Sequence, residues 1–210
     1  MATAAEMVTK FIEMVDDQLS DTMMYQILND AKNEIEGNHI WEKLKAMDSS
    51  QTETQNAIAL PTRFAIAIKL TIGTEYDPYT LVPFEDQRQY RDYSRAFYID
   101  FANSVYYLTG TRTTANTIYL AHTKYTEDLT SGDTWGFPDR FHDIIPLKMA
   151  QIYYATNAGE KARAWDDRWK AQFDSRLQQM QAWDDQLKLR ANRGRRAMYP
   201  SDLPRGIVSF

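Results

Sequence analysis

Apolar residues recur at helical spacing through the first nineteen positions, at Met7, Phe11, Met14, Val15 and Leu19. This predicts a helix over 4–19. Ser20 and Asp21 read as a break and an N-cap. A second helix then places Met24, Ile27, Leu28, Ala31 and Ile35 on one face, with Gly37 as its stop. The segment HIWEKLKAM (39–47), bearing Trp41 and Leu44, reads as a short third helix. The first 47 residues thus predict antiparallel helices joined by short turns.

The pattern changes at residue 48. DSSQTETQN is polar and turn-like, and Phe64, Ile66, Ile68, Leu70 and Ile72 then alternate strictly. A period of two predicts a half-buried strand over 63–73. Asp77-Pro78 marks a turn, and 84–95 is a charged loop or short helix. FYIDF (97–101), SVYYLTG (104–110) and TIYLAHTKY (117–125) read as strands, with a turn at TTAN (113–116). The middle of the chain is therefore a small antiparallel sheet.

The turn-rich stretch TSGDTWGFPDR (130–140) separates this sheet from the last helices. Pro138 suits a first helical turn, and Pro146 marks a fresh helix or a kink. Met149, Ile152, Tyr153 and Ala155 continue an apolar face that ends at Asn157 and Gly159. The final helix is predicted over 160–192. Its stripe is Trp165, Trp169, Phe173, Leu177, Met180, Trp183 (or Asp184 beside it) and Leu187. At about 1.5 Å per residue it is roughly 45 Å long, more than a small core needs. Its first half is read as core packing. RGRRAMYPSDLPRGIVSF cannot be helical throughout, yet it carries apolar anchors, which suits a segment that orders on a partner. The expected fold class is α+β, mainly α: a helical bundle with a long C-terminal helix, a small antiparallel β insertion and an extended C-terminal arm. Residues 1–192 form one domain, with the insertion at about 56–128, and 193–210 form the arm.

Charge sharpens the division. From Lys188 onward six cations face Asp202 alone, a net of +5. With −5 overall, residues 1–187 carry −10. An acidic body with a basic tail results. Thirteen tyrosines suit interfaces or strands, and composition leaves both open. The absence of cysteine excludes disulfides, thiolate catalysis and cysteine-held metals. The N-terminal stretch carries acids where a secretion signal needs an unbroken apolar run, and no segment approaches the roughly 18 apolar residues of a membrane span. A cytoplasmic protein, or part of a particle built there, is expected.

Catalytic chemistry has little to stand on. His39, His122 and His142 lack a second histidine at ligand spacing. His142-Asp143 matches the pair of metal-dependent phosphohydrolases, but no other histidines complete such a set. His122 reads as a surface or cross-strand residue. The pairs Asp16-Asp17, Asp166-Asp167 and Asp184-Asp185 read as solvated helix faces, because adjacent helical residues point about 100° apart. No phosphate loop, nucleophile elbow or EF-hand spacing occurs. Neither enzymatic activity nor a cofactor is expected.

The order of pieces is distinctive: HIWEKL, a strand entered through Leu60-Pro61, Tyr119-Leu120, Leu129-Thr130, Asp133-Thr134, Phe137-Pro138, Ala150 to Tyr154, then the long charged helix. This order resembles the head–tail connector, or portal adaptor, proteins of tailed bacteriophages. The resemblance implies a structural virion protein that forms a twelve-fold ring beneath the portal. It also implies that DNA passes through the lumen without specific binding and that a tail-side neck or tail protein docks below. On this reading Arg190, Arg193, Arg195, Arg196, Tyr199, Leu203, Arg205, Ile207 and Phe210 meet the portal. The alternatives are a small regulatory or scaffolding domain that binds nucleic acid through its basic tail, and an unrecognised enzyme.

Overall fold

A computed structural model describes residues 2–15, 19–53, 57–73, 78–93, 95–110, 115–156 and 160–198; for 160–166 and 191–198 it describes the backbone alone. Among the described residues are four α-helices: α1 (Ala4–Val15), α2 (Asp21–Gly37), α3 (Ile144–Thr156) and α4 (Glu160–Met198). Seven strands lie between α2 and α3: β1 (Lys45–Asp48), β2 (Ile58–Ala59), β3 (Phe64–Ile72), β4 (Thr80–Leu81), β5 (Ala96–Asp100), β6 (Val105–Leu108) and β7 (Ile118–Lys124).

The expected bundle with a small β insertion is not what forms. The strands make two sheets, ordered β1-β7-β3 and β2-β6-β5-β4. Nor is the β region wholly antiparallel, since β4 pairs with β5 in parallel. The inner sheet faces enclose a core of their own, with Ile58, Leu70, Ile72, Phe97, Tyr106 and Ile118 buried. At about 1.5–3 kcal/mol for each large apolar side chain, this core stabilises the β unit in its own right.

The helical core is separate. Phe11, Leu28, Ile35, Trp41, Trp135 and Met180 are among its buried members. α3 lies centrally and packs against α1, α2 and α4. α1 starts with a capping box: Thr3 N donates to Glu6 Oε2 (2.9 Å) and Glu6 N donates to Thr3 Oγ1 (3.3 Å). Ser20 caps α2, accepting from Met23 N. Gly37 is the last residue of α2, and Asn38 caps it. A Cβ at Gly37 would lie 2.7 Å from Tyr125 Oη, so close approach explains the glycine better than a helix stop does. Pro146 falls in the first turn of α3, where a missing N–H costs nothing. The helix is therefore fresh and not kinked there. Pro138 precedes a single 3-10 turn at Asp139–Phe141.

The predicted third helix is absent. Only Glu42–Leu44 form a 3-10 turn, and Lys45–Asp48 become β1, paired with β7 in the register Met47↔Ala121. β3 forms where alternation placed it, but it carries register shifts between Phe64 and Ile66 and between Ala67 and Lys69. Ile66 thus pairs with Thr123 whereas Leu70 pairs with Leu120. Positions 120 and 123 lie on opposite faces of β7, so the apolar set of β3 is divided between two faces.

Three polar side chains of α2 fasten the two cores together. Buried Glu36 accepts from Thr126 N (2.8 Å), Thr126 Oγ1 (2.7 Å) and Trp135 Nε1 (2.7 Å). Buried Lys32 donates to Thr126 O (3.0 Å) and Glu127 O (2.7 Å). Asn29 donates to Leu129 O and accepts from Leu129 N. The segment leaving the sandwich is thus strapped along α2.

Candidate partner-binding site

α4 has 39 residues, about 58 Å at 1.5 Å per residue. Phe173 and Met180 are buried in the helical core, with Trp169, Leu177 and Trp183 packed against it. Trp183 meets the ring of Phe141 at 5.5 Å and that of Phe137 at 6.3 Å. The stripe holds the middle of the helix to the body, as its spacing predicted.

Beside Trp183, α4 is pinned by charge. Asp184 is fully buried, contrary to the solvated face expected for the Asp184-Asp185 pair. Its Oδ1 accepts from Glu42 N at 2.8 Å. Its Oδ2 lies 2.9 Å from Lys188 Nζ and 3.2 Å from His39 Nε2. His39 in turn packs edge-on against Trp41, with ring centroids 4.5 Å apart. Burial opposes the Lys188 ammonium, but hydrogen bonds to Asp184 and Asp185 outweigh it and push its pKa above the ordinary lysine value. His39, Asp184 and Asp185 have the donor types of a metal site. The ammonium already lies among them, 3.3 Å from Asp185 Oδ1 and 3.1 Å from His39 Nε2, so the arrangement is a satisfied ion-pair network.

Beyond this network α4 continues. Leu189 is 59% exposed, Arg190 is exposed, and the helix runs to Met198, past the end expected at 192. Arg193, Arg195 and Arg196 therefore lie on helix, with their side chains outside the description. Tyr199, Leu203, Arg205, Ile207 and Phe210 lie outside the described residues altogether. The +5 read from Lys188 onward is also reduced in effect, because Lys188 is already paired with Asp184 and Asp185.

The loop before α3 is equally specific. Asp133 Oδ2 accepts from Thr130 N (2.8 Å) and Thr130 Oγ1 (2.6 Å), which holds the Asp133 carboxyl below its usual pKa. Asp133 O receives Ala4 N at 2.8 Å, and Thr3 bridges Thr134. Leu129-Thr130 and Asp133-Thr134 thus form one turn that joins the start of α1 to the strap on α2. With these features in place, the comparison with known families is decisive: the model of the SU10 adaptor protein family matches residues 2–198.

The chain belongs to the SU10 adaptor protein family.

This is a phage head–tail adaptor family, in agreement with the resemblance read from the sequence, and it gives the protein a structural role in the phage neck. No curated protein matches the chain. The family match ends at Met198, where α4 also ends. Among the described residues, no helix of the adaptor is long and apolar enough to cross a membrane.

The remaining histidines of the adaptor have packing partners. His142 is buried, with Nε2 2.8 Å from Phe137 O and Nδ1 3.1 Å from Ala2 O. Neighbouring Asp143 pairs with Arg176 at 2.7 Å, so His142 and Asp143 are not brought to one site. His122 is cross-strand as expected, opposite Ala46 and Ala67, but it is buried and not at the surface. It stacks on Phe64 at 5.6 Å. Of the aspartate pairs, Asp16-Asp17 lie outside the described residues, Asp167 is exposed, and Asp185 is 63% exposed. The tyrosines realise both of their possible uses. Tyr106 fills the sandwich core, whereas Tyr98 and Tyr107 stack at 5.0 Å on the outer sheet face with Phe84 edge-on to Tyr98. Burial, then the neighbouring Tyr107 and Asp100, raises the pKa of the Tyr98 hydroxyl.

Proposed function

We propose that this adaptor is a non-catalytic neck protein that assembles as a ring beneath the portal, and that it joins head to tail while DNA passes through the lumen. The observation that carries this reading is the end of α4. A helix clamped by the Asp184 network and then continuing to Met198 is a stiff lever, and Arg190, Arg193, Arg195 and Arg196 all lie beyond the clamp. Guanidinium groups suit an acidic groove on a pre-formed partner, because they stay charged and pair bidentately with carboxylates. We assign that partner as the portal, and the residues from Arg190 to Phe210 as the segment that meets it. A ring multiplies each weak contact into a stable seat. The −10 borne by residues 1–187 suits passage of DNA, since phosphate binding needs clustered positive charge.

The same basic end fits a nucleic-acid-binding tail, and one experiment separates the two. Full-length protein and a variant lacking 194–210 are compared in portal pull-downs and in DNA gel shifts. Portal binding that requires 194–210, with no gel shift by either protein, is the expected result. Tail-dependent, salt-sensitive DNA binding without portal binding would transfer the function to the nucleic-acid reading.

A further inference from the structure

A groove runs along one side of α4. Its upper part, about 610 Å³, lies between α1, α3 and α4, with Met14 and Leu147 in its walls. Its lower part, about 350 Å³, lies against Phe141 and Trp183. The two parts share Arg176 and Gln179. From Trp169 to Gln186 the groove follows roughly 26 Å of helix. Its walls are largely apolar, and its rim is basic. Lys10 and Arg140 are exposed, and neither has an ion pair among the described residues, whereas Arg176 is neutralised by Asp143. Asp143 also lines the groove, and its Oδ1 is buried without a hydrogen-bond partner.

No residue of α2 lines this groove. The outward face of α2 has the complementary character. Asp30 and Glu34 are exposed there, Glu34 paired with Lys148 at 2.6 Å. The one basic residue of the helix, Lys32, is buried. Met23 lies on the same face as Asp30 and is 50% exposed, and Gln26 beside it offers an amide donor. α2 has 17 residues, about 25 Å, which matches the length of the groove.

We propose that the groove between α1, α3 and α4 receives the acidic face of α2 from a second copy of this chain. The acids meet Lys10 and Arg140, and Met23 enters the apolar wall. The two patches differ, so the contact is head-to-tail and repeats from copy to copy, as a closed ring requires. The inference rests on the ring reading above and names the surfaces that build it.

The chain contains no cysteine, so cross-linking sites can be introduced one at a time. Met23→Cys and Gln179→Cys, both at exposed positions, are placed separately and together in the full chain. The variants are treated with a short bismaleimide, both on portal particles and in concentrated solution. The double variant should give a ladder of multimers, a mixture of the two single variants should give dimers, and each single variant alone should give neither. A dimer from either single variant alone would indicate like-to-like contact and overturn the proposal. Absence of the ladder in both settings would also overturn it. A cross-link within one chain between Gln179→Cys and Leu203→Cys would do so too, by making the C-terminal segment the occupant. A ladder in solution from protein that does not attach to portal particles would leave this interface standing and remove the portal reading instead.

Discussion

Asp184 and Asp185 are adjacent in sequence and opposite in environment. The first is fully buried, accepts from Glu42 N and Lys188 and lies 3.2 Å from His39 Nε2; the second is 63% exposed. Asp184→Ala should cost about 3 kcal/mol, because it leaves a backbone donor and an ammonium without their shared acceptor. Asp185→Ala should cost less than about 0.5 kcal/mol. Denaturant unfolding of the two variants checks the contrast, and equal losses would refute the clamp. Two lysines give opposite pH signatures. Burial holds Lys32 below its ordinary 10.5, against the pull of Glu36 and Asp128. Between that lowered value and 10.5 the unfolded chain binds more protons, so its contribution to stability rises with pH. Lys188 is raised above 10.5, so its contribution is complete below 10.5 and is lost as pH climbs through the raised value. Stability measured across this range should lose the rise in Lys32→Met and the fall in Lys188→Met. The sequence did not make Asp184 legible, because an Asp-Asp pair in a charged helix reads as solvated. The only local sign was its place beside Trp183 on the stripe, one turn before Lys188.

Elements whose stabilising contacts follow a regular period were readable. α1, α2, the middle of α4, β3 and β5 to β7 lie close to where spacing placed them. β1 was not, because Trp41, Leu44 and Met47 recur at three-residue steps that imitate a helix. Met47 is in fact 62% exposed, and the segment is extended because β7 pairs with it, a partner more than seventy residues away in the chain. β2 and β4 have two residues each, too few to show any period, yet Ile58 is fully buried in the sandwich. The β region therefore looked like a small insertion when it holds a core of its own. At the other end, Asp184 and Lys188 pin α4 to the body ahead of residues 194–210. Deletion of 194–210 should shift the melting midpoint by less than about 2 °C, read by circular dichroism. A large drop would mean that the segment packs on its own body.

At the scale of the molecule, a helical core and a β-sandwich are joined through Lys32, Glu36 and Asn29, and a long helix carries Arg190, Arg193, Arg195 and Arg196 beyond the clamp that holds it to the body. The family was legible from the order of turns, above all the Leu129–Thr134 segment, because those turns hold α1 and α2 together and so constrain sequence locally. Charge at the end of α4 was legible as well, since it needs no partner within the chain to be seen. How copies associate was not, because the groove beside α4 needs α1, which is far in sequence from α3 and α4. The central claim, that this adaptor seats on the portal through the end of α4, is tested most directly by electron microscopy of portal particles mixed with the purified protein. At low salt, class averages should show a ring of added density on one face of the portal, absent when 194–210 are deleted. Bare portals at low salt and high protein concentration would contradict it.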